Sequence, residues 1–301
     1  MSCELVFPGN WTNSDAFERV IKVNPHTCGQ QEVIFKFPVG CKLMVDVCIR
    51  LLSLANQLHC TSHRVKMIFD DGETGLMGYL NRIGFFDCLD PAIDVTPARP
   101  MWSGAQLHRG GNVGLVEIAR INKSQRDKTI QNRLSEAVGH ACVHRSDVKS
   151  LEEATWTIFA ELIDNIFSHS QTPLDGYAAL QRYSNGNQLK VAVSDSGLGI
   201  LETLRPALAT EFPALTGLTD TQLIVEIFRQ GVSRHGVDRG CGLRGSAAKA
   251  IKFQADLEVR LPTSRVVLKP SRQAYAANMA HCYESLPLMW GSHISFSLNL
   301  T

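Results

Sequence analysis

The stretch 150–170, SLEEATWTIFAELIDNIFSHS, keeps a helical period throughout and delivers into two strand-like runs, YAALQRY and LKVAVSD, separated by SNGNQ. A long helix feeding directly into a hairpin leaves the chain few ways to fold. Ser150 fits the N-cap position. Steps of four set Glu161, Asn165 and His169 on a slowly drifting polar line, while Trp156, Phe159, Ile163 and Ile166 supply an apolar face. That polar line either faces water or walls a pocket. A carboxylate can orient or deprotonate water, and an Asn carbonyl can join phosphates and waters around Mg²⁺.

The whole chain has 301 residues, of which 44% are hydrophobic, enough for two modest domains or one large one. Thirty Lys plus Arg against 29 Asp plus Glu, with no long basic tract, signal neither a nucleic-acid surface nor an anionic-membrane surface. Nine cysteines lie scattered without a CxxC or a close Cys/His cluster, which argues against a zinc knuckle and a disulfide scaffold. No stretch has the length and apolarity of a membrane span, and the start carries no signal-peptide pattern, so a soluble, cytoplasmic protein is expected.

After a polar opening, 32–39 reads as a strand, 42–60 as an amphipathic helix, 64–70 as a strand and 76–89 as a helix, a small β-α-β-α unit. The Pro- and Gly-rich run 91–112 reads as a linker. A strand (113–121), a polar helix (about 124–140), the long helix and the hairpin follow. The excursion 201–240 is longer than an ordinary connection and has the character of a lid. A helix at 242–251 and strands near 255–260, 265–269 and 292–300 complete the chain.

Three further segments carry chemistry. In SDSGLGI (194–200) a strand ends at Asp195, whose carboxylate can accept from an exocyclic amine, and Gly197 and Gly199 permit a tight path, although an ordinary turn has the same composition. In RGCGLRGSAAKA (239–250) glycines precede a helix and could bring N–H groups against phosphate, with Arg239 or Arg244 to neutralise charge; a flexible helix start is the alternative. In WGSHISFSL (290–298), Gly291 and Ser292 precede an alternating strand. The order differs from a Rossmann fingerprint.

Together these segments resemble the GHKL ATPase superfamily, whose Bergerat fold occurs in histidine kinases, anti-sigma-factor kinases and DNA gyrase. ELIDNIFSHS is similar to its Asn-bearing helix motif, DSGLGI to the first glycine box and GCGLRG to part of the second. The resemblance implies that Asn165 coordinates Mg²⁺, that Glu161 activates water or assists phosphoryl transfer, and that His169 lies near the nucleotide. It implies that Asp195 binds the adenine amine, with Gly197, Gly199 and Ile200 in its loop, and that Gly240, Gly242 and Leu243 hug phosphate. Arg234 and Arg239, beside Ser233 and His235, would meet the triphosphate from the lid, and Ser292 would approach phosphate. Arg244 stands where the family pattern has glycine, and 270–289 is an insertion relative to compact members.

The region 32–90 resembles, less specifically, a reduced STAS-like unit of the kind found in anti-sigma-factor antagonists, which carries recognition rather than catalysis. Asp70, Asp71 and Glu73 fit a charged turn better than a metal cluster. His140 and His144 lack the setting of a phosphoacceptor, so two-component histidine kinase activity is not expected.

The expected fold is therefore α/β in two domains. Residues 1–98 form the STAS-like unit, and 99–301 form a Bergerat α/β sandwich with a mixed sheet and helices on one face. The expected function is a Mg-ATP-binding regulatory ATPase whose nucleotide state governs recognition of a protein partner. The alternatives are a serine/threonine protein kinase of the anti-sigma type and a non-catalytic, nucleotide-gated interaction module. ATP or ADP and a regulatory protein are the expected partners, and a homodimer is compatible with all three readings.

Overall fold

In strand after strand of the C-terminal half, apolar side chains alternate with polar ones, and the computed structural model gives each set its own layer. The structure describes residues 2–122, 124, 127–169, 172–230, 241–271, 274–277 and 282–301, with backbone alone at 168–169, 230, 241–244, 271 and 274–277.

The N-terminal half comprises β1 (Ser2–Val6), β2 (Trp11–Thr12), α1 (Ser14–Val20), β3 (Glu32–Phe37), β4 (Lys42–Leu43), α2 (Val45–Cys60), β5 (Arg64–Phe69), α3 (Leu76–Arg82), α4 (Phe85–Cys88) and β6 (Asp94–Thr96). A parallel sheet of order β1-β3-β5-β6 is its backbone, and β2 pairs with β4. Asn13 caps α1 by accepting from the Ala16 N–H at 3.0 Å. Three features of this half depart from the sequence expectation. The polar opening holds β1 and α1, and the helix expected over 76–89 breaks at Gly84, whose φ of +83° ends α3 and starts α4. The expected linker also begins with structure. β6 pairs with β5, and the Arg99 guanidinium donates to the carbonyls of Phe86, Leu89, Asp90 and Ile93, stitching the segment to α4.

After the short α5 (Gly104–Leu107) come β7 (Leu115–Ile121), α6 (Ile130–Ala141), α7 (Val148–His169), β8 (Gly176–Tyr183), β9 (Gln188–Ser194), α8 (Ile200–Glu211), α9 (Asp220–Gln230), α10 (Cys241–Lys252), β10 (Asp256–Arg260), β11 (Arg265–Ser271), β12 (Ala274–Ala277) and β13 (His293–Asn299). Helix α7 starts at Val148, so Ser150 lies inside its first turn and does not cap it. Trp156 sits outside the apolar face and donates its indole N–H to Asn132 on α6 at 2.6 Å, whereas Phe159, Ile163 and Ile166 are buried. Part of the expected insertion is β12, the edge strand beside β11.

The second sheet has the order β12-β11-β10-β13-β9-β8-β7. Every one of its pairings is antiparallel, so the mixed sheet expected here is corrected; the parallel strands belong to the N-terminal half. Leu189, Val191 and Val193 of β9, Leu257 and Val259 of β10 and Ile294, Phe296 and Leu298 of β13 pack with α6, α7 and α10 in one core. The intervening residues point the other way, and they include Lys190, Ser194, Glu258, Arg260 and His293, all paired with groups from α1, α2 or the loop before β13.

Helices therefore cover both faces of this sheet rather than one. Helix α2, buried from Val45 to Leu58, lies between it and the parallel sheet. Its polar stripe does not face water. Asp46 accepts from Lys190 at 3.0 Å, Arg50 pairs with Glu258 at 2.7 Å, Ser53 bonds Ser194 at 2.8 Å and Asn56 donates to the Tyr177 hydroxyl at 2.8 Å. Glu18 of α1 adds a pair with Arg260 at 2.9 Å, and Asp15 one with Arg265 at 2.6 Å. Buried charges persist only when matched in this way.

Of the lid expected over 201–240, the described part, 201–230, docks on the core through two helices, and 231–240 lie outside the described residues. Helix α8 buries Leu201, Leu204 and Leu208, and α9 buries Leu223, Ile224, Ile227 and Phe228. No helix among the described residues is long and apolar enough to cross a membrane.

Candidate functional site

Helix α7, the end of β9 and the start of β13 converge on a cavity of about 30 Å³, lined by Leu162, Asn165 and Ile166, by Val193, Asp195, Gly199 and Ile200, and by Ser292 and Ile294. Five of the residues singled out in the sequence, Asn165, Asp195, Gly199, Ile200 and Ser292, thus share one wall. The volume accommodates a water rather than a nucleotide ring.

The floor is held by bonds between its two loops. Asp195 accepts the Gly197 N–H on Oδ1 at 2.7 Å and the Ser292 N–H on Oδ2 at 3.1 Å, while its own N–H donates to the Ser292 carbonyl at 3.1 Å. Ser292 Oγ accepts the Ile200 N–H at 2.9 Å and so satisfies the first turn of α8, which has no side-chain cap from Gly199. That is the use the structure makes of the Ser292 hydroxyl, which the sequence had directed toward phosphate. The backbone geometry demands glycine twice. Gly199 has φ +87°, and Gly291 has φ +93° with a Cβ position only 2.1 Å from the Asp195 carbonyl oxygen.

Asn165 contributes a buried amide Nδ2 that meets no hydrogen-bond partner among the described residues. A buried amide left with unused capacity at a cavity wall calls for a polar occupant. Glu161, one turn earlier on α7, lies outside the cavity lining. Burial and the neighbouring Asp164 push its carboxyl above the ordinary glutamate value, against the pull of Lys249 on α10. A carboxyl raised in this way sits closer to the range in which it can exchange a proton at neutral pH.

The remaining expected contacts are distributed as follows. Gly242 and Leu243 lie within the first turn of α10, which begins at Cys241, rather than in a turn that precedes it. His169 ends α7, with its side chain outside the described residues, as are Ser233, Arg234, His235, Arg239 and Gly240. No group of three or more His, Cys, Asp or Glu among the described residues could hold a metal ion. Any divalent cation here would take most of its oxygens from a ligand and from water.

Residues that the motifs did not single out complete the site from behind. Gln57 of α2 reaches the loops on both sides of the cavity, and His26 stacks on Trp290 with ring centroids 5.3 Å apart. His293 bonds Ser194 through Nδ1 and the Trp290 carbonyl through Nε2. The available signal was the polar stripe of α2, which local sequence cannot distinguish from a solvent face. Comparison with family models, with curated proteins and with solved structures returned no match.

Proposed function

We propose that the chain is a Mg-ATP-binding regulatory ATPase of GHKL type, with the antiparallel sheet, α6, α7 and α10 as a Bergerat-type nucleotide unit and the parallel sheet as a STAS-like recognition unit. One observation carries this reading. Three short motifs far apart in sequence, around Asn165, Asp195 and Ser292, line a single cavity, and Asn165 brings to it an amide Nδ2 donor without a partner among the described residues.

In this reading Asp195 receives the adenine amine on a carboxylate already oriented by two backbone N–H groups. Asn165 would share Mg²⁺ with phosphate oxygens and water, and the bound ion would offset phosphate charge. Glu161, with its raised carboxyl, would orient the attacking water. Arg234, Arg239 and Gly240, outside the described residues, would add contacts to the triphosphate beside Gly242 and Leu243.

Titration of the protein with ATP in the presence of Mg²⁺, followed by measurement of phosphate release, tests the proposal. Glu161→Gln should bind ATP as the wild type does and lose at least about 100-fold in turnover. Asn165→Ala should weaken Mg-dependent binding by more than about tenfold while leaving the fold intact. Phosphate delivered only to a serine or threonine of a partner would replace the ATPase with a kinase. Binding without turnover would leave a nucleotide-gated module. A wild type that binds neither ATP nor ADP with Mg²⁺ sinks all three readings.

A further inference from the structure

The side chain of Gln57 is completely buried, and its position on α2 puts it behind the cavity, on the far side of the antiparallel sheet from α7. Its amide is fully used. Nε2 donates to Ser196 Oγ and to the Trp290 carbonyl, both at 3.0 Å; Oε1 accepts the Trp290 N–H at 2.9 Å and faces His26 Nε2 at 3.4 Å. Ser196 stands between Asp195 and Gly197 in one loop, and Trp290 precedes Gly291 and Ser292 in the other. These are the loops whose mutual hydrogen bonds form the cavity floor.

A second chain of bonds runs beside the first, and its directions follow from donor capacity. His293 Nε2 faces a carbonyl, which can only accept, so Nε2 carries the proton and Nδ1 accepts from Ser194. The Ser194 hydroxyl is thereby committed as donor to His293, and Ser53 of α2 must donate to Ser194. Both chains start on α2 and end at the Trp290 carbonyl. No other feature of the N-terminal half touches both cavity loops through a single side chain among the bonds described.

We infer that Gln57 is a positioning residue through which the N-terminal half holds the 195–200 and 290–292 loops in the geometry that receives a nucleotide. The inference rests on the nucleotide reading of the cavity. It makes α2 part of the site's construction, so any partner that shifts α2 acts on nucleotide affinity through this amide.

The test uses the whole 301-residue chain carrying Gln57→Met, which keeps side-chain length and removes the amide. Backbone amide exchange is read at Gly197, Ile200 and Ser292, whose partners all lie within the two loops. Exchange at these three should rise about tenfold, with the α6 and α7 amides unchanged, and the ATP dissociation constant with Mg²⁺ should rise by a similar factor. Ser196→Ala removes one acceptor alone and should move the same amides in the same direction by less. It also carries the test if Gln57→Met does not fold. Unchanged exchange at the three amides overturns the inference, as does a uniform rise across the sheet. So does faster local exchange with unaltered ATP affinity. If the wild type binds no nucleotide, the proposed function fails on its own, and the exchange pattern still decides whether Gln57 positions the loops.

Discussion

His293 concentrates the electrostatics of the site in one ring. Burial, then the nearby Arg50 and Arg260, hold its imidazole well below the ordinary value of 6.5, against the support of the Trp290 carbonyl. His26, stacked on Trp290, is lowered to about 4, chiefly by burial, with Gln57 opposing and His63 assisting. Both rings are neutral in the fold and charge more readily in the unfolded chain. Their contribution to stability is therefore present above about pH 6.5 and lost as pH falls from there toward 4. Denaturant titrations at pH 7.5 and 5.5 should give a lower stability at the acid value. His293→Asn should narrow the gap between them, and equal gaps in the two proteins would refute the assignment.

Secondary-structure elements tell a different story about what can be read from sequence. The long helix, the hairpin and the loop after β9 were legible because their signals are local: a 3.6-residue period, a turn composition, a strand that ends beside Asp195. The contacts of α2 were not. Its stripe of Asp46, Arg50, Ser53 and Gln57 has the period of a solvent face, and only the meeting with Lys190, Glu258, Ser194 and Trp290 makes it an interior one. β1 and β6 escaped notice because a five-residue strand in a polar opening and a three-residue strand in a Pro-rich run carry too little periodicity. Burial opposes ionisation of Glu258, yet Arg50, Arg265 and Lys190 hold its carboxyl down at about 2. Arg50→Met should cost about 1.5–3 kcal/mol at pH 7, since it removes one charged partner of Glu258 while Arg265 and Lys190 stay beside it. A denaturant midpoint that matched wild type would remove the pair from the account of how α2 docks.

At the scale of the whole molecule, the two sheets share α2, and the antiparallel sheet without it would present Lys190, Glu258, Arg260 and His293 beside Tyr177, Ala179 and Ala192 to water. Residues 99–301 produced alone should lack cooperative unfolding and associate on size exclusion, whereas co-expression with 1–98 should recover a soluble complex. A monomeric 99–301 fragment with a sharp thermal transition would contradict this dependence. The same arrangement imposes an order on events at the ribosome. Helix α2 is complete by Cys60, but its second covering layer needs β9, which ends at Ser194, and β13, which ends at Asn299. At ordinary elongation rates of about 5–20 residues per second, the nascent chain carries that helix half-sheathed for roughly 10–50 s. Through that interval its stripe of arginine, aspartate and glutamine works as a solubilising face, and the arrival of β9, β10 and the loop before β13 converts it into interior.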